Sequence, residues 1–221
     1  NSGRTNISFE YERYLTDGSV RWVRNNVKFM TDVDSGHLCA MLFAKDIDAQ
    51  KKEEAELIFA AKMDKMTMLL NRETSMEYIT QTLETCGNKK HVLFMTDIDN
   101  FKNLNDTLGH QKGDEFLVVL AKALKNCFRE TDIVGRIGGD EFFALMKNTG
   151  AVSTIEKKAK EMLSVMRKVC ANYPGMDMSG SIGISMYPEH GTTLDELYAK
   201  ADVALYQAKR TGKDKYVFYK E

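Results

Sequence analysis

Two short acidic segments carry residue types that could do chemistry. In Gly138-Gly139-Asp140-Glu141-Phe142, two adjacent carboxylates follow a pair of glycines. Glycine admits positive φ and lets a ligand come close to the backbone. If Asp140 and Glu141 begin a strand, they project to opposite faces, so one can meet a cation while the other faces elsewhere. On spacing alone, a surface hairpin with solvated acids fits as well. In Thr96-Asp97-Ile98-Asp99, two acids close a short apolar run, His91-Val92-Leu93-Phe94-Met95. Carboxylates at the end of a buried strand are costly unless they bind something. Asp97 and Asp99 alternate with Ile98 and so share a side. Such hard oxygen ligands suit Mg²⁺ or Mn²⁺ when a substrate phosphate completes the shell. The alternative is that Asp99 caps a following helix. One acidic site on each of two strands is the arrangement that two-metal phosphoryl chemistry needs.

The elements that must position these acids follow from periodicity and turn signals. Ile133 to Ile137 and Glu141 to Met146 read as strands joined through Gly138-Gly139, and His91 to Met95 as a short buried strand. Leu117, Leu120, Ala121, Leu124 and Phe128 mark a helix at 3.6-residue spacing. Further helices are expected over Glu73–Thr85, Ile155–Ala171 and Leu194–Ala208, with strands over Ser181–Met186 and Lys215–Tyr219. Upstream, residues 8 to 47 read as an antiparallel meander: Ile7–Tyr14, a turn at Thr16-Asp17-Gly18-Ser19, Val20–Arg24, a turn at Asp34-Ser35-Gly36, and Leu38–Phe43. Such a meander is marginal alone. A charged helix from Ala49 to about Met66, without Gly or Pro, joins the two parts as a solvated connector or as a parallel coiled coil between two subunits.

Composition narrows the function classes. The 221 residues are 43% hydrophobic and 29% charged, with a net charge of −1, so the chain is globular and lacks the basic footprint of a general nucleic-acid binder. Cys39, Cys86, Cys127 and Cys170 form no CxxC pair and no zinc-type cluster with the scattered histidines. They read as four buried free thiols of a reducing, cytoplasmic compartment. No apolar run approaches the ~18 residues needed to span a bilayer. The chain opens at Asn1 rather than Met, which reads as an excised piece and leaves room for a membrane segment upstream.

At this point residues 62 to 221 resemble the GGDEF domain of bacterial diguanylate cyclases. The resemblance rests on ordered motifs. They are Asp64-Lys65-Met66-Thr67-Met68-Leu69-Leu70-Asn71-Arg72, Asp97-Ile98-Asp99-Asn100-Phe101-Lys102-Asn103-Leu104-Asn105-Asp106, Gly109-His110, Gly113-Asp114, Arg136-Ile137-Gly138-Gly139-Asp140-Glu141-Phe142, Ser181-Ile182-Gly183-Ile184 and Ala204-Leu205-Tyr206-Gln207-Ala208-Lys209. Residues 8 to 57 resemble the C-terminal half of a PAS domain, through Glu10-Tyr11-Glu12, Asp17-Gly18-Ser19, Arg21-Trp22-Val23 and Asp46-Ile47. The implied organisation is a partial PAS sensor over 1–48, a helical signalling linker over 49–66 and a catalytic domain over 67–221. The implied fold is α+β, a palm-like antiparallel sheet with surrounding helices, preceded by the partial PAS meander.

The resemblance implies roles residue by residue. Asp97, the backbone carbonyl of Ile98 and Asp140 hold Mg²⁺ or Mn²⁺, two ions per GTP, with Glu141 as a further ligand or a base and Asp99 behind them. The ions bridge phosphates and lower the pKa of the attacking ribose 3′-hydroxyl. Phe101, Lys102, Lys209 and Lys213 lie at the substrate, the lysines reaching phosphates. Asn105 and Asp114 read guanine, a carboxylate accepting from N1–H and the exocyclic amine, a donor pair that adenine lacks. Branches of the family that make mixed cyclic dinucleotides often replace this Asp, so its presence favours GTP for both halves. Arg129 and Asp132 match the inhibitory product site, although a helix-end salt bridge would use the same RxxD spacing. The chain departs from the pattern at Lys213-Asp214, where Arg-Asn is common, and at Met68, where Gly is usual. Lysine keeps the charge but loses the bidentate fork.

The expected reaction is 2 GTP → cyclic di-GMP + 2 pyrophosphate, run by an antiparallel homodimer because each monomer presents one GTP. Two other classes stay open: a non-catalytic receptor for GTP or cyclic di-GMP, and a purely structural dimerisation module. The first usually loses the acids kept here as Asp140 and Glu141, and the second needs none of the phosphate residues.

Overall fold

A computed structural model describes residues 6–85, 87, 89–149 and 151–220. The chain divides after Ala61 into two compact units.

The first unit is an antiparallel meander of β1 (Asn6–Tyr14), β2 (Val20–Thr31) and β3 (Leu38–Asp46), followed by helix α1 (Asp48–Lys62). Its register runs Tyr11↔Val23↔Asp46. Asp17 closes the first turn by accepting both the N–H and the hydroxyl of Ser19, at 2.8 and 2.6 Å. β2 continues seven residues beyond Arg24, through the polar Asn25-Asn26 that hides its alternation. Glu10 joins Arg24 and Lys51 at 2.7 and 2.8 Å, and Lys51 lies over the Trp22 ring. Among the described residues of this unit only Val23, Asn25 and Ile47 are buried, so it has no core of its own. Cys39 is exposed on β3 instead of buried as Cys127 and Cys170 are, while Cys86 lies outside the described residues. Helix α1 stops at Lys62 rather than near Met66. Asp64 redirects the chain there by accepting the N–H and the hydroxyl of Thr67, at 2.8 and 2.7 Å, and Met68 turns left-handed at φ 57°.

The second unit is built on a five-stranded sheet. In chain order its elements are α2 (Arg72–Thr85), β4 (His91–Asp99), α3 (Phe101–Leu108), α4 (His110–Lys125), β5 (Ile133–Gly138), β6 (Glu141–Met146), α5 (Val152–Cys170), β7 (Ser179–Tyr187), α6 (Leu194–Arg210) and β8 (Tyr216–Phe218). The strand order is β5-β6-β4-β7-β8, antiparallel except for β8, which joins β7 in parallel. All nine residues of the central β4 are buried. Its alternate side chains serve two cores. Val92, Phe94 and Ile98 pack with α3, α4 and α5. Leu93 and Met95 pack with α2 and α6. Helix α6 rests directly on β7 at Gly183, where a Cβ would lie 2.1 Å from the Ala201 carbonyl oxygen, so a side chain there would push the helix off. A capping box between Thr193 and Glu196 fixes the start of α6. The α+β architecture expected from the sequence is present, with helices on both faces of an antiparallel-dominant sheet. Among the described residues no helix is long and apolar enough to cross a membrane.

Candidate active site

The sheet brings the two acidic segments together. β4 runs past its apolar stretch to Asp99, and Asp97 faces Glu141 as a cross-strand partner, so these side chains share a face. Asp140 sits in the turn just before β6, where Gly139 adopts φ 55°. The simple alternation that would set Asp140 and Glu141 on opposite faces therefore does not apply, because only Glu141 belongs to the strand. Arg136 pins this turn: its Nε and Nη2 donate to the Gly139 carbonyl at 3.0 and 2.8 Å. Its Nη1 reaches Asp64 at 3.1 and 3.3 Å. One guanidinium thus ties the Asp64–Thr67 turn to the acidic hairpin.

The electrostatics are those of a site short of positive charge. Burial pushes the Asp97 carboxyl above the usual range; Lys209 pulls it back, but Asp140 and Asp99 add to the rise. Asp140 is likewise raised by burial, with Glu141 adding to the shift and Lys209 and Arg136 opposing it. Lys209 Nζ lies 2.6 Å from Asp97 Oδ2. An open cleft of about 260 Å³ adjoins, lined by Glu141, Asp202, Tyr206 and Lys209. Among the described residues, no three acids, histidines or cysteines are gathered into a ready-made cation cage. Two or three hard carboxylates whose mutual repulsion calls for a cation still fit Mg²⁺, which keeps waters and takes substrate oxygens rather than a full protein cage.

Asp99 has a different job. It is 2% exposed and accepts the hydroxyls of Ser179 at 2.6 Å and Ser181 at 2.8 Å, and the Asp214 N–H at 3.4 Å. Nor does it cap α3: the N-cap is Asn100, in the left-handed region at φ 61°. The Asn100 side chain does not cap either. Its Nδ2 donates to the Asp177 carbonyl at 2.8 Å, and its Oδ1 accepts from Lys213 Nζ at 2.7 Å. The first N–H groups of α3 are left without a side-chain partner, beside a lysine ammonium, which is a favourable setting for an anion. Lys213 and Asp214 are both left-handed, at φ 57° and 47°, and Asp214 is held by Arg167 at 2.8 Å.

Of the other candidate residues, Asn105 lies on α3 and Asp114 on α4, two helices that pack together. The Asn105 side chain lies on Gly113, where an added Cβ would be 1.9 Å from its Oδ1, so a larger residue there would displace the Asn105 amide. Lys102 and Asp114 are exposed. Phe101, at the first position of α3, is buried and its ring packs on Phe116 with centroids 5.7 Å apart. Arg129 and Asp132 lie apart from the acids at a separate cavity of about 290 Å³, with Lys147, Lys157 and Lys158. Asp132 makes no helix-end salt bridge. Its two oxygens accept the backbone N–H groups of Arg129 and Lys147, each at 3.0 Å.

Asp64, Arg136, Ser179 and Ser181 are the positioning residues that the sequence did not single out by role. The Asp-x-x-Thr spacing of Asp64 and Thr67 is a turn signal that could have flagged the first.

Comparison with known proteins places this geometry. The family model for "Diguanylate cyclase, GGDEF domain" matches residues 61–215. The chain is 34% identical over 209 residues to "Diguanylate cyclase DgcM" of Escherichia coli strain K12, covering 91% of this chain and 48% of that protein. It is 33% identical over 168 residues to "Cyclic di-GMP phosphodiesterase NbdA" of Pseudomonas aeruginosa, covering 75% of this chain and 21% of that one. It therefore spans about half, or less, of these relatives. The solved GGDEF domain of PA1120 (TpbB or YfiN) from Pseudomonas aeruginosa superposes with a TM-score of 0.66 at 31% identity, covering 72% of this chain and 94% of that one. With the family model spanning most of its length, the chain belongs to the diguanylate cyclase GGDEF-domain family.

Proposed function

We propose that this chain is a working diguanylate cyclase, condensing two GTP into cyclic di-GMP and two pyrophosphates. The observation that carries the reading is the convergence of Asp97, Asp140 and Glu141 at the ends of β4 and β6, with two of the three acids raised in pKa. A receptor or a structural dimerisation module has no need of such an electrostatically costly cluster.

In this reading Asp97, Asp140 and the Ile98 carbonyl hold Mg²⁺ or Mn²⁺, with Glu141 beside them as ligand or base. The ions, when bound, neutralise phosphate charge and acidify the ribose 3′-hydroxyl. The 3′-oxygen of one GTP forms a bond to the α-phosphorus of the other, its proton passing to a base at Glu141, and the α–β P–O bond breaks to release pyrophosphate. Repeating the step in the opposite sense closes the ring. Lys209, Lys213, Lys102 and the N-terminal N–H groups of α3 receive the triphosphate. Asn105 and Asp114 receive guanine. Each domain supplies one nucleotide, so the active species is a homodimer. The name of one relative, a diguanylate cyclase, supports the reading, whereas that of the other, a cyclic di-GMP phosphodiesterase, concerns the same nucleotide and not its synthesis. Arg129 is proposed to grip inhibitory product, with Lys147, Lys157 and Lys158 on the same cavity wall for its phosphates and Asp132, whose oxygens keep acceptor capacity beyond the two backbone N–H groups, for a guanine edge. Residues 1–48 and 49–66 are read as part of a PAS sensor and its signalling linker.

The test is incubation of the purified protein with GTP and Mg²⁺ at high protein concentration, with products identified by mass spectrometry. Cyclic di-GMP should form, and Glu141→Gln should abolish it while circular dichroism stays native, because one charge lost at the reacting centre costs several kcal/mol of transition-state stabilisation (roughly 3–4). GTP binding without turnover in the native protein would favour the receptor reading.

A further inference from the structure

Lys209 occupies the position a cation would take. Its ammonium is 2.6 Å from Asp97 Oδ2, and the Asp97 side chain is 10% exposed. Among the described residues, no other lysine or arginine forms an ion pair with Asp97, Asp140 or Glu141. The backbone of Lys209 lies in the last turn of α6, which is seated on β7 at Gly183 and closed by the Lys213 N–H donating to the Ala208 carbonyl at 3.0 Å. The long side chain is less constrained, 36% exposed, and the cleft of about 260 Å³ lies on its other side. A backbone held in the helix, a long and partly exposed side chain and an adjoining cleft give the ammonium room to exchange.

We propose that Lys209 is a stand-in for the divalent ion: it neutralises Asp97 in the cation-free protein and must leave Asp97 before a divalent ion can take that carboxylate. The inference rests on the metal-binding reading of Asp97 and goes beyond it. The displaced ammonium turns into the cleft, where an incoming phosphate can accept it. Phosphate thus draws Lys209 away from Asp97, and a cation on Asp97 frees Lys209 for phosphate. Each ligand favours the other by the same factor, as linkage requires. The protein alone binds divalent ions poorly, and cation and triphosphate enter together.

Mn²⁺ titration followed by electron paramagnetic resonance tests this, at pH 8 so that a proton does not fill the vacated place. It would be run with Mn²⁺ alone and with a GTP analogue whose α,β-bridging oxygen is methylene. For Lys209→Met, nucleotide-free Mn²⁺ affinity should rise on the order of tenfold, within the range usual for coupled sites. The gain in Mn²⁺ affinity on adding the analogue should shrink correspondingly. Lys209→Gln should behave alike and guards against a packing artefact of Met; thermal melts establish that both fold. Unchanged nucleotide-free affinity in both folded variants overturns the stand-in role and leaves the metal centre standing. No Mn²⁺ binding by native protein even with the analogue overturns the metal-centre reading itself.

Discussion

Replacing Arg136 with alanine removes four N–H···O contacts at once, two to Gly139 and two to Asp64. The Arg136 side chain is 10% exposed and Asp64 26%, so little water can substitute. Breaking a buried ion pair by deleting one partner costs ~3–5 kcal/mol. Asp64 keeps the two donors from Thr67 and some solvent, which brings the expected loss down to ~2–3 kcal/mol. For a unit of this size that is a drop of about 4–12 °C in Tm. Asp64 adds a pH signature. Burial is the largest influence and pushes its carboxyl up, but the Thr67 donors and Arg136 outweigh it, so its pKa falls below the usual value. Its contribution is therefore present above pH ~4 and lost as the solution is acidified. The functional effect should exceed the thermal one. Without the clamp on the Gly139 carbonyl the Asp140 turn can drift, and a displacement of ~1 Å at a reacting centre costs on the order of 10²-fold in turnover. Arg136→Lys, which cannot reach both acceptors in one plane, should fall between. Calorimetry and the cyclic di-GMP assay measure the two effects. An Arg136→Ala protein that melts within about 1 °C of native and turns over normally would refute the clamp.

Asp114→Ala should weaken GTP binding and relax its preference over ATP while leaving Mn²⁺ binding intact; an unchanged preference in competition titrations would show that Asp114 does not read the base. Arg129→Ala should keep its initial rate and give progress curves that stay linear longer, and equal sensitivity of both proteins to added cyclic di-GMP would remove Arg129 from feedback. His91 is buried, neither of its ring nitrogens is hydrogen-bonded among the described residues, and burial, then Lys147 and Lys89, hold its pKa below the ordinary value. Its neutral form is favoured in the fold, so stability should be complete above pH ~6.5 and decline below it by up to about 1.4 kcal/mol per pH unit. Urea midpoints between pH 7.5 and 5.5 should fall less steeply in His91→Phe; parallel slopes would assign the acid lability to other groups, not to Asp97 or Asp140, whose raised values act in the opposite sense.

The acids themselves were legible in the sequence because residue type and strand alternation are local. Asp97 at the end of an apolar run and Asp140-Glu141 after two glycines stood out by those local features, although alternation misplaced Asp140, which lies in the turn before β6 and not in the strand. Helix α3 was not legible from periodicity: it has eight residues and only two buried side chains, Phe101 and Leu104, too few to set a period. Asn100 rather than Asp99 heads that helix because Ser179 and Ser181 claim Asp99, and strand β7 is far away in sequence. The commitment of Asp132 to two backbone N–H groups was hidden for a similar reason, since Lys147 reaches it only once β5 and β6 pair. The Arg136–Asp64 clamp likewise joins residues that only the folded sheet makes neighbours. Spacing shows which groups could do chemistry, whereas long-range pairing decides which are free to do it.

The pairing of Asp97 with Glu141 also bears on when the chain acquires its chemistry during folding. Side chains alternate along a strand, so a slip of β6 by one residue would set Phe142 opposite Asp97 and send Glu141 to the opposite face, into the core that now holds Phe142 and Ile98. A compact intermediate with misaligned β6 would have its helices and much of its core and still lack the acid cluster. The acid cluster thus forms only with correct register, so any chemistry that depends on it is confined to copies whose sheet has paired correctly.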